Sequence, residues 1–280
     1  EYSRSSADQD LPLASEMRPP EVLYETMSYL INEIIPDVVY LTDQEHRDEF
    51  NPSDWYDFVW NRTRSIRKDI IQQRLLLVNQ QNQSDYALAG VVIIEQCARF
   101  HIMCAYLMSQ QSSDVFDFKI NEENLKNCFQ SLRQFYAANN KSAAQQGGIE
   151  SPNEAEFRSY SILLNLKESN ILSEIQRWPE HIRHSRQVKF ALKVYFAFAS
   201  SNYIRFFRLV KSDECEYLQA CILHRFFYQL RCKAFRIIFG AYRDKSQGPR
   251  ERLFSVAKLA AMLGFDGVDQ VAEYCNAFEL

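Results

Sequence analysis

The sequence predicts an all-α fold of stacked antiparallel helical hairpins, and three observations carry that reading. Seven glycines and eight prolines in 280 residues are too few for a turn-rich β architecture. Apolar residues recur at helical spacing along most of the chain. The later helical segments are joined by links of one to seven residues, which force successive helices to lie antiparallel. No strict repeat of tetratricopeptide length accompanies them.

The elements follow in order. Residues Glu1–Arg18 are polar and unpatterned, a flexible lead-in. A first helix begins at Pro19-Pro20, carries Val22, Leu23, Thr26, Met27, Leu30, Ile31 and Ile34 at helical spacing, and stops before Pro36. An acidic loop from Asp43 to Glu49 leads to Asn51-Pro52-Ser53, which caps a helix running to about Leu77. A Gln/Asn-rich linker, Asn79–Ser84, precedes an apolar helix from Tyr86 to Met108. Asn121 is expected to cap the next helix, which ends near Tyr136, and Asn139–Gly148 reads as a low-complexity loop. Ser151 to Glu154 forms a partial capping box. Helical segments are then predicted at Pro152–Leu166, Asn170–Trp178, Arg186–Ala199, Asn202–Lys211, Cys215–Phe227 and Gln229–Tyr242. A basic loop, Arg243–Arg252, leads to Ser255, which caps Val256–Leu263. Gly264 ends that helix and Asp266 starts another, reaching about Phe278. Two short helices on a Gly-containing turn make a helix-turn-helix. The expected organisation is therefore residues 1–18 as lead-in, 19–242 as helical scaffold, and 243–280 as helix-turn-helix.

Composition is ordinary for a globular chain, 46% hydrophobic and 24% charged. The first residue is Glu1, so the chain reads as part of something longer, without a signal peptide. No apolar run is expected to reach the ~20 residues of a membrane span. Cys97, Cys104, Cys128, Cys215, Cys221, Cys232 and Cys275 are odd in number, scattered and never spaced as Cys-x-x-Cys. That pattern suits reduced thiols in cytosol or nucleus. Net charge is only −4, but residues 177–252 hold sixteen Lys/Arg against six Asp/Glu. A local excess of +10 hints at an anionic partner, although a solvated helical surface gives the same count.

Several constellations were candidates for chemistry. Cys97, His101 and Cys104 share one helix face, yet a closed zinc site needs four ligands and their neighbours are apolar. Buried core cysteines explain them better, and the same holds for Cys221 with His224. No nucleophile elbow, P-loop, zincin or dinucleotide-binding fingerprint occurs, so the expectation is a non-enzyme with no catalytic, cofactor-binding or metal residue. Trp55, Tyr56, Phe58 and Trp60 precede Arg62, Arg64, Arg67 and Lys68. These could stack bases and clamp phosphates. The favoured reading is an amphipathic helix that buries its aromatics, because Trp55, Val59, Ile66 and Ile70 form one stripe.

In the helix-turn-helix, the second helix carries Asp266, Asp269 and Glu273. Phosphates repel such a helix, so it should pack on protein and not read a groove. Candidate nucleic-acid contacts are Arg231, Lys233 and Arg236, with Arg243, Lys245, Arg250 and Arg252 in the loop. Binding through them would be backbone-driven and sequence-blind.

Three runs carry a resemblance: Asp54 to Ile70 (Asp-Trp-Tyr-Asp-Phe-Val-Trp-Asn-Arg-Thr-Arg-Ser-Ile-Arg-Lys-Asp-Ile), Asn153 to Tyr160, and Asn202 to Val210. Together with Arg18-Pro19-Pro20, Arg99-Phe100-His101 and Lys119 to Asn124, the chain resembles the GANP family of mRNA-export scaffolds over nearly all of Met17–Leu280. The resemblance implies a TPR-like, PCI-type solenoid ending in a winged helix, truncated here before its wing. It also implies a PCI-domain protein as side-by-side partner, a small acidic disordered subunit, and weak RNA or DNA binding at the nucleoplasmic side of the nuclear pore. Phe254, Val256, Leu259, Val271 and Tyr274 are expected to divide between the domain's own core and the partner interface. Two other readings remain: a stand-alone, sequence-blind nucleic-acid binder, and a scaffold subunit of a different PCI assembly.

Overall fold

A computed structural model describes residues 15, 17–37, 51–73, 75–76, 84–146, 151–242 and 255–277. Every regular element among them is helical, as expected of an all-α chain. The chain falls into two compact units, Glu1–Pro152 and Asn153–Leu280.

In the first unit, α1 (Pro20–Tyr29) starts on a proline at its first turn and buries Leu23 and Met27. It passes into one π-helical turn, Leu30–Ile34. The Ile34 carbonyl there accepts from the Trp55 indole at 2.8 Å, which ties the end of the first helix to the next one. Helix α2 (Pro52–Gln72) is capped as predicted, with the Asn51 side chain accepting from Ser53 and Asp54 N–H. It stops five residues short of the expected Leu77 because the chain turns at Leu75 and Leu76 over Gly90 of the next helix. Ahead of α1, Arg18 donates to Asp69 Oδ2 and Ser65 Oγ, both at 2.7 Å, and pins the start of the unit to α2.

Helix α3 (Ser84–Leu107) is the centre of this unit, packed by α1, α2 and α4 (Phe118–Gln146). Its stretch Tyr86–Leu107 is long and apolar enough to cross a membrane by length and composition. That corrects the expectation that no such run exists. Yet 67% of its most apolar window is buried inside the protein, and it carries buried Glu95 and His101, so it serves here as a core helix.

Two further expectations are corrected on α4. Its cap is Asp117, whose carboxylate accepts from Lys119 and Ile120 N–H. Asn121 lies inside the helix, fully buried. The low-complexity stretch does not begin a loop at Asn139, since α4 runs on to Gln146. Alanine and glutamine are good helix formers, and that propensity outweighs the look of the sequence.

The second unit holds α5 (Glu154–Leu164), α6 (Ile171–Ile175), α7 (Glu180–Arg183), α8 (Arg186–Ala199), α9 (Tyr203–Val210), α10 (Tyr217–His224), α11 (Phe227–Tyr242), α12 (Val256–Leu263) and α13 (Val268–Ala277). Helix α5 packs on α8 and α10, α8 on α9, and α9 on both α11 and α12. The expected segment Asn170–Trp178 is helical only over the short α6, which ends at Ile175, and α7 follows beyond it with Pro179 as its N-cap residue. Glu154 does not complete a capping box: it is 3% exposed and pairs with Arg158 at 3.1 Å. The Arg158 guanidinium lies over the Trp178 ring at 4.8 Å, so the buried pair keeps additional partners. A true capping box appears instead at α10, between Glu216 and Gln219. The Gln219 amide donates onward to Ser159 of α5 at 3.2 Å.

Candidate functional site

The terminal hairpin α12–α13 is held by one arginine of α11. Arg231 donates through Nε to the Leu263 carbonyl at 3.2 Å and through Nη2 to the Gly264 carbonyl. These are carbonyls at the C-terminal end of α12, where a cation also meets the negative end of the helix dipole. The same guanidinium lies 3.9 Å from the Phe265 ring centroid and 5.3 Å from that of Phe227, within cation–π reach of both. Gly264 sits at φ +67°, a left-handed helix end. A Cβ there would come within 2.7 Å of the Phe207 ring, so both conformation and space require glycine.

This packing sorts the expected partner-facing residues. Leu259 and Val271, 5% and 0% exposed, belong to the unit's own core. Val256 is 46% exposed and Tyr274 half-buried, with its ring 5.0 Å from Phe265 and 6.0 Å from Tyr228. Phe254 lies outside the described residues. Val268, 47% exposed in the same hairpin as Val256, is an apolar surface residue that the sequence pattern does not single out. Asp266, Asp269 and Glu273 are all exposed, so the second helix of the hairpin presents negative charge to solvent.

The basic candidates separate in the same way. Arg231 is committed to the hairpin and the aromatic cluster around it, which makes it a positioning residue. Lys233 is exposed and donates to the Ser201 hydroxyl in the α8–α9 link. Arg236 is exposed on α11. Arg243, Lys245, Arg250 and Arg252 lie outside the described residues.

Of the aromatic run on α2, Trp55, Tyr56 and Trp60 are buried, in one cluster with Phe100, Cys104, Met108 and Phe116. Only Phe58 is exposed, at 42%, and Arg62 stands over its ring at 5.1 Å. The run is thus chiefly a packing device. Arg67, 7% exposed, bonds to the Asn124 backbone and side-chain oxygens of α4.

Around His101 the structure places a buried amide network and, among the described residues, no cluster of possible metal ligands. Asn121 Nδ2 donates to the His101 carbonyl at 3.0 Å, which fixes the amide orientation. Asn121 Oδ1 then accepts from the Tyr56 hydroxyl at 3.1 Å and faces His101 Nδ1 at 2.8 Å. His101 therefore carries its proton on Nδ1. Burial, with Arg67 nearby, pulls its pKa down to about 3, against the opposing hydrogen bond that it donates to Asn121. Burial likewise raises the Cys97 and Cys104 thiols well above their usual range, so they stay protonated and packed. Cys221 is buried and pushed up to about 11 for the same reason.

Fold and hairpin together define, over the described residues, an all-helical chain whose last two helices form a helix-turn-helix. The chain belongs to the SAC3/GANP family, whose model matches residues 1–280. Protein xmas of Drosophila melanogaster is 38% identical over 280 residues, which is 100% of this chain and 12% of that protein. SAC3 family protein 1 of Schizosaccharomyces pombe is 30% identical over 300 residues, covering 100% of this chain and 26% of that protein. SAC3 family protein B of Arabidopsis thaliana is 31% identical over 231 residues, 78% of this chain and 12% of that protein. The chain thus spans between about an eighth and a quarter of the length of these relatives.

Proposed function

We propose that this region is a non-catalytic scaffold of a transcription-coupled mRNA-export complex at the nucleoplasmic side of the nuclear pore. In this reading it docks a PCI-domain protein through the α12–α13 hairpin, with a small acidic disordered subunit in the same assembly. It contributes weak, sequence-blind affinity for RNA or DNA through Lys233, Arg236 and the basic residues of the 243–252 segment. Family membership is the broad support. The observation that carries the docking role is the hairpin itself, which exposes Val256 and Val268 while Arg231 and Gly264 hold it rigid. Rigid apolar residues on a surface lose little entropy when a partner covers them.

The test is co-purification of a PCI-domain partner with Val256→Asp and Val268→Asp. Both sites are exposed, so the variants should fold, as far-ultraviolet circular dichroism would verify, and capture should fall by about tenfold or more. Undiminished capture by both folded variants would remove this hairpin from the interface. Leu259→Asp is the wrong probe, because a carboxylate there enters the core.

A second reading, a stand-alone nucleic-acid binder, finds support in the charge of the second unit. It predicts tight binding by this chain alone with a steep salt dependence, whereas the scaffold reading predicts weak binding until the partner is added.

A further inference from the structure

We infer that the outer face of α8 is a track for single-stranded nucleic acid, distinct from the α11 and 243–252 cations; the inference rests on the nucleic-acid role proposed above. The first observation is charge. Helices α8 and α9 carry five Lys/Arg and not one Asp or Glu, in a chain where acids outnumber bases by 36 to 32. A merely solvated helix surface in such a chain would mix the two signs.

The second observation is the pattern on α8. Arg186, Lys189, Lys193 and Phe196 are all exposed and follow one another at helical spacing, one stripe along the solvent side. The stripe covers about 15 Å of helix at ~1.5 Å per residue, enough for a short run of nucleotides. Phe196 is 49% exposed. An aromatic ring left in water beside three cations is what an unstacked base needs, since a base offers its π face only when it leaves a duplex. An acidic peptide would use the cations but has no comparable use for the ring.

The third observation is a cleft. His184, Arg186, Lys189 and Lys193 line an open depression of about 470 Å³, with Asp213 and Glu214 of the α9–α10 link on its other side. Lys193 is paired with Glu214 at 2.6 Å, and Arg186 donates to the Asp213 carbonyl at 3.0 Å. The Lys193–Glu214 pair is roughly half exposed on both sides, 44% and 48%, so it is weak and exchangeable. Glu214 occupies a cation that a phosphate could take over. It therefore opposes binding, and its neutralisation should strengthen it.

The experiment measures anisotropy of a labelled oligouridylate with the chain at two salt concentrations, beside a duplex of equal length and with polyglutamate as competitor. Lys189→Glu with Lys193→Glu should weaken single-strand binding about tenfold or more. It should also lower the salt slope by about 1.4, at ~0.7 for each phosphate no longer neutralised. Phe196→Ala should weaken the single strand about tenfold and leave the duplex unchanged. Glu214→Gln should tighten binding severalfold, an increase that loss of folding cannot produce. If the α8 variants bind normally while Lys233→Glu with Arg236→Glu abolishes binding, the α8 track is wrong and the proposed nucleic-acid role stands. If the unaltered chain binds no nucleic acid, both fall. If Phe196→Ala is silent and polyglutamate displaces the oligonucleotide fully, the surface serves acidic protein and the inference is overturned.

Discussion

Gly264→Ala should destabilise the second unit by roughly 2–5 kcal/mol, the sum of a left-handed backbone penalty of ~1–2 kcal/mol and an overpacking cost of ~1–3 kcal/mol. The cost is not relieved by a small shift, because Phe207 is 1% exposed and its ring is hemmed by Phe206 and Phe227. Arg231→Ala should act on the same element by another route. It strands the Leu263 and Gly264 carbonyls and removes the cation from the Phe265 ring, at a cost of about 2–3 kcal/mol. Arg231→Lys should fall between, since an ammonium cannot reproduce the two-pronged donation. Urea titration of the three variants reads these effects directly. Under the docking role proposed above, capture of a PCI-domain partner should fall in the same rank order, because each change loosens the hairpin without touching its exposed face. A stable, native-like Gly264→Ala would show that the turn is not as tightly held as its geometry requires.

The second large effect concerns acid. His101 is neutral in the folded state down to about pH 3, while an unfolded histidine protonates near 6.5. Between these values the unfolded chain binds one more proton, so stability falls as pH falls. The loss is about 1.4 kcal/mol per pH unit below 6.5 and ends near the folded pKa. Above pH 6.5 both states are neutral and this group contributes no slope. His101→Gln should flatten that part of the pH profile, whatever its effect on absolute stability. Asn121→Leu should itself cost about 2–6 kcal/mol, because the buried Tyr56 hydroxyl and His101 N–H both lose their acceptor at ~1–3 kcal/mol each. Chemical denaturation of the three proteins at pH 7, 6 and 5 tests both statements. An unchanged slope in the histidine variant would place the acid sensitivity elsewhere.

Much of this was legible in the chain, and what was not has identifiable physics. Helix α12 has the bounds its sequence predicts, because Ser255 and Gly264 mark both ends chemically. Helix α8 was equally plain, with the Ser185 hydroxyl receiving Val188 N–H. Asn121 misled because asparagine is a common cap, and only the packing of α2 and α3 around it reveals a buried use. Arg231 misled for a related reason: a sequence gives an arginine its charge but not the two carbonyls and four rings it meets. On α8 the signal was present, as cations and one phenylalanine at helical spacing. A count of charge along the chain does not say which side of a helix is wet, so the stripe emerges only from the exposure of these side chains.

The buried sulfur atoms have a practical use. Cys97, Cys104 and Cys128 lie in the core of the first unit, and Cys221 and Cys232 are buried in the second. A thiol shut away in this way meets an alkylating reagent only when its surroundings open. Each unit therefore carries its own internal clock, and peptide mapping after timed alkylation would show in one tube whether the two open together or one before the other.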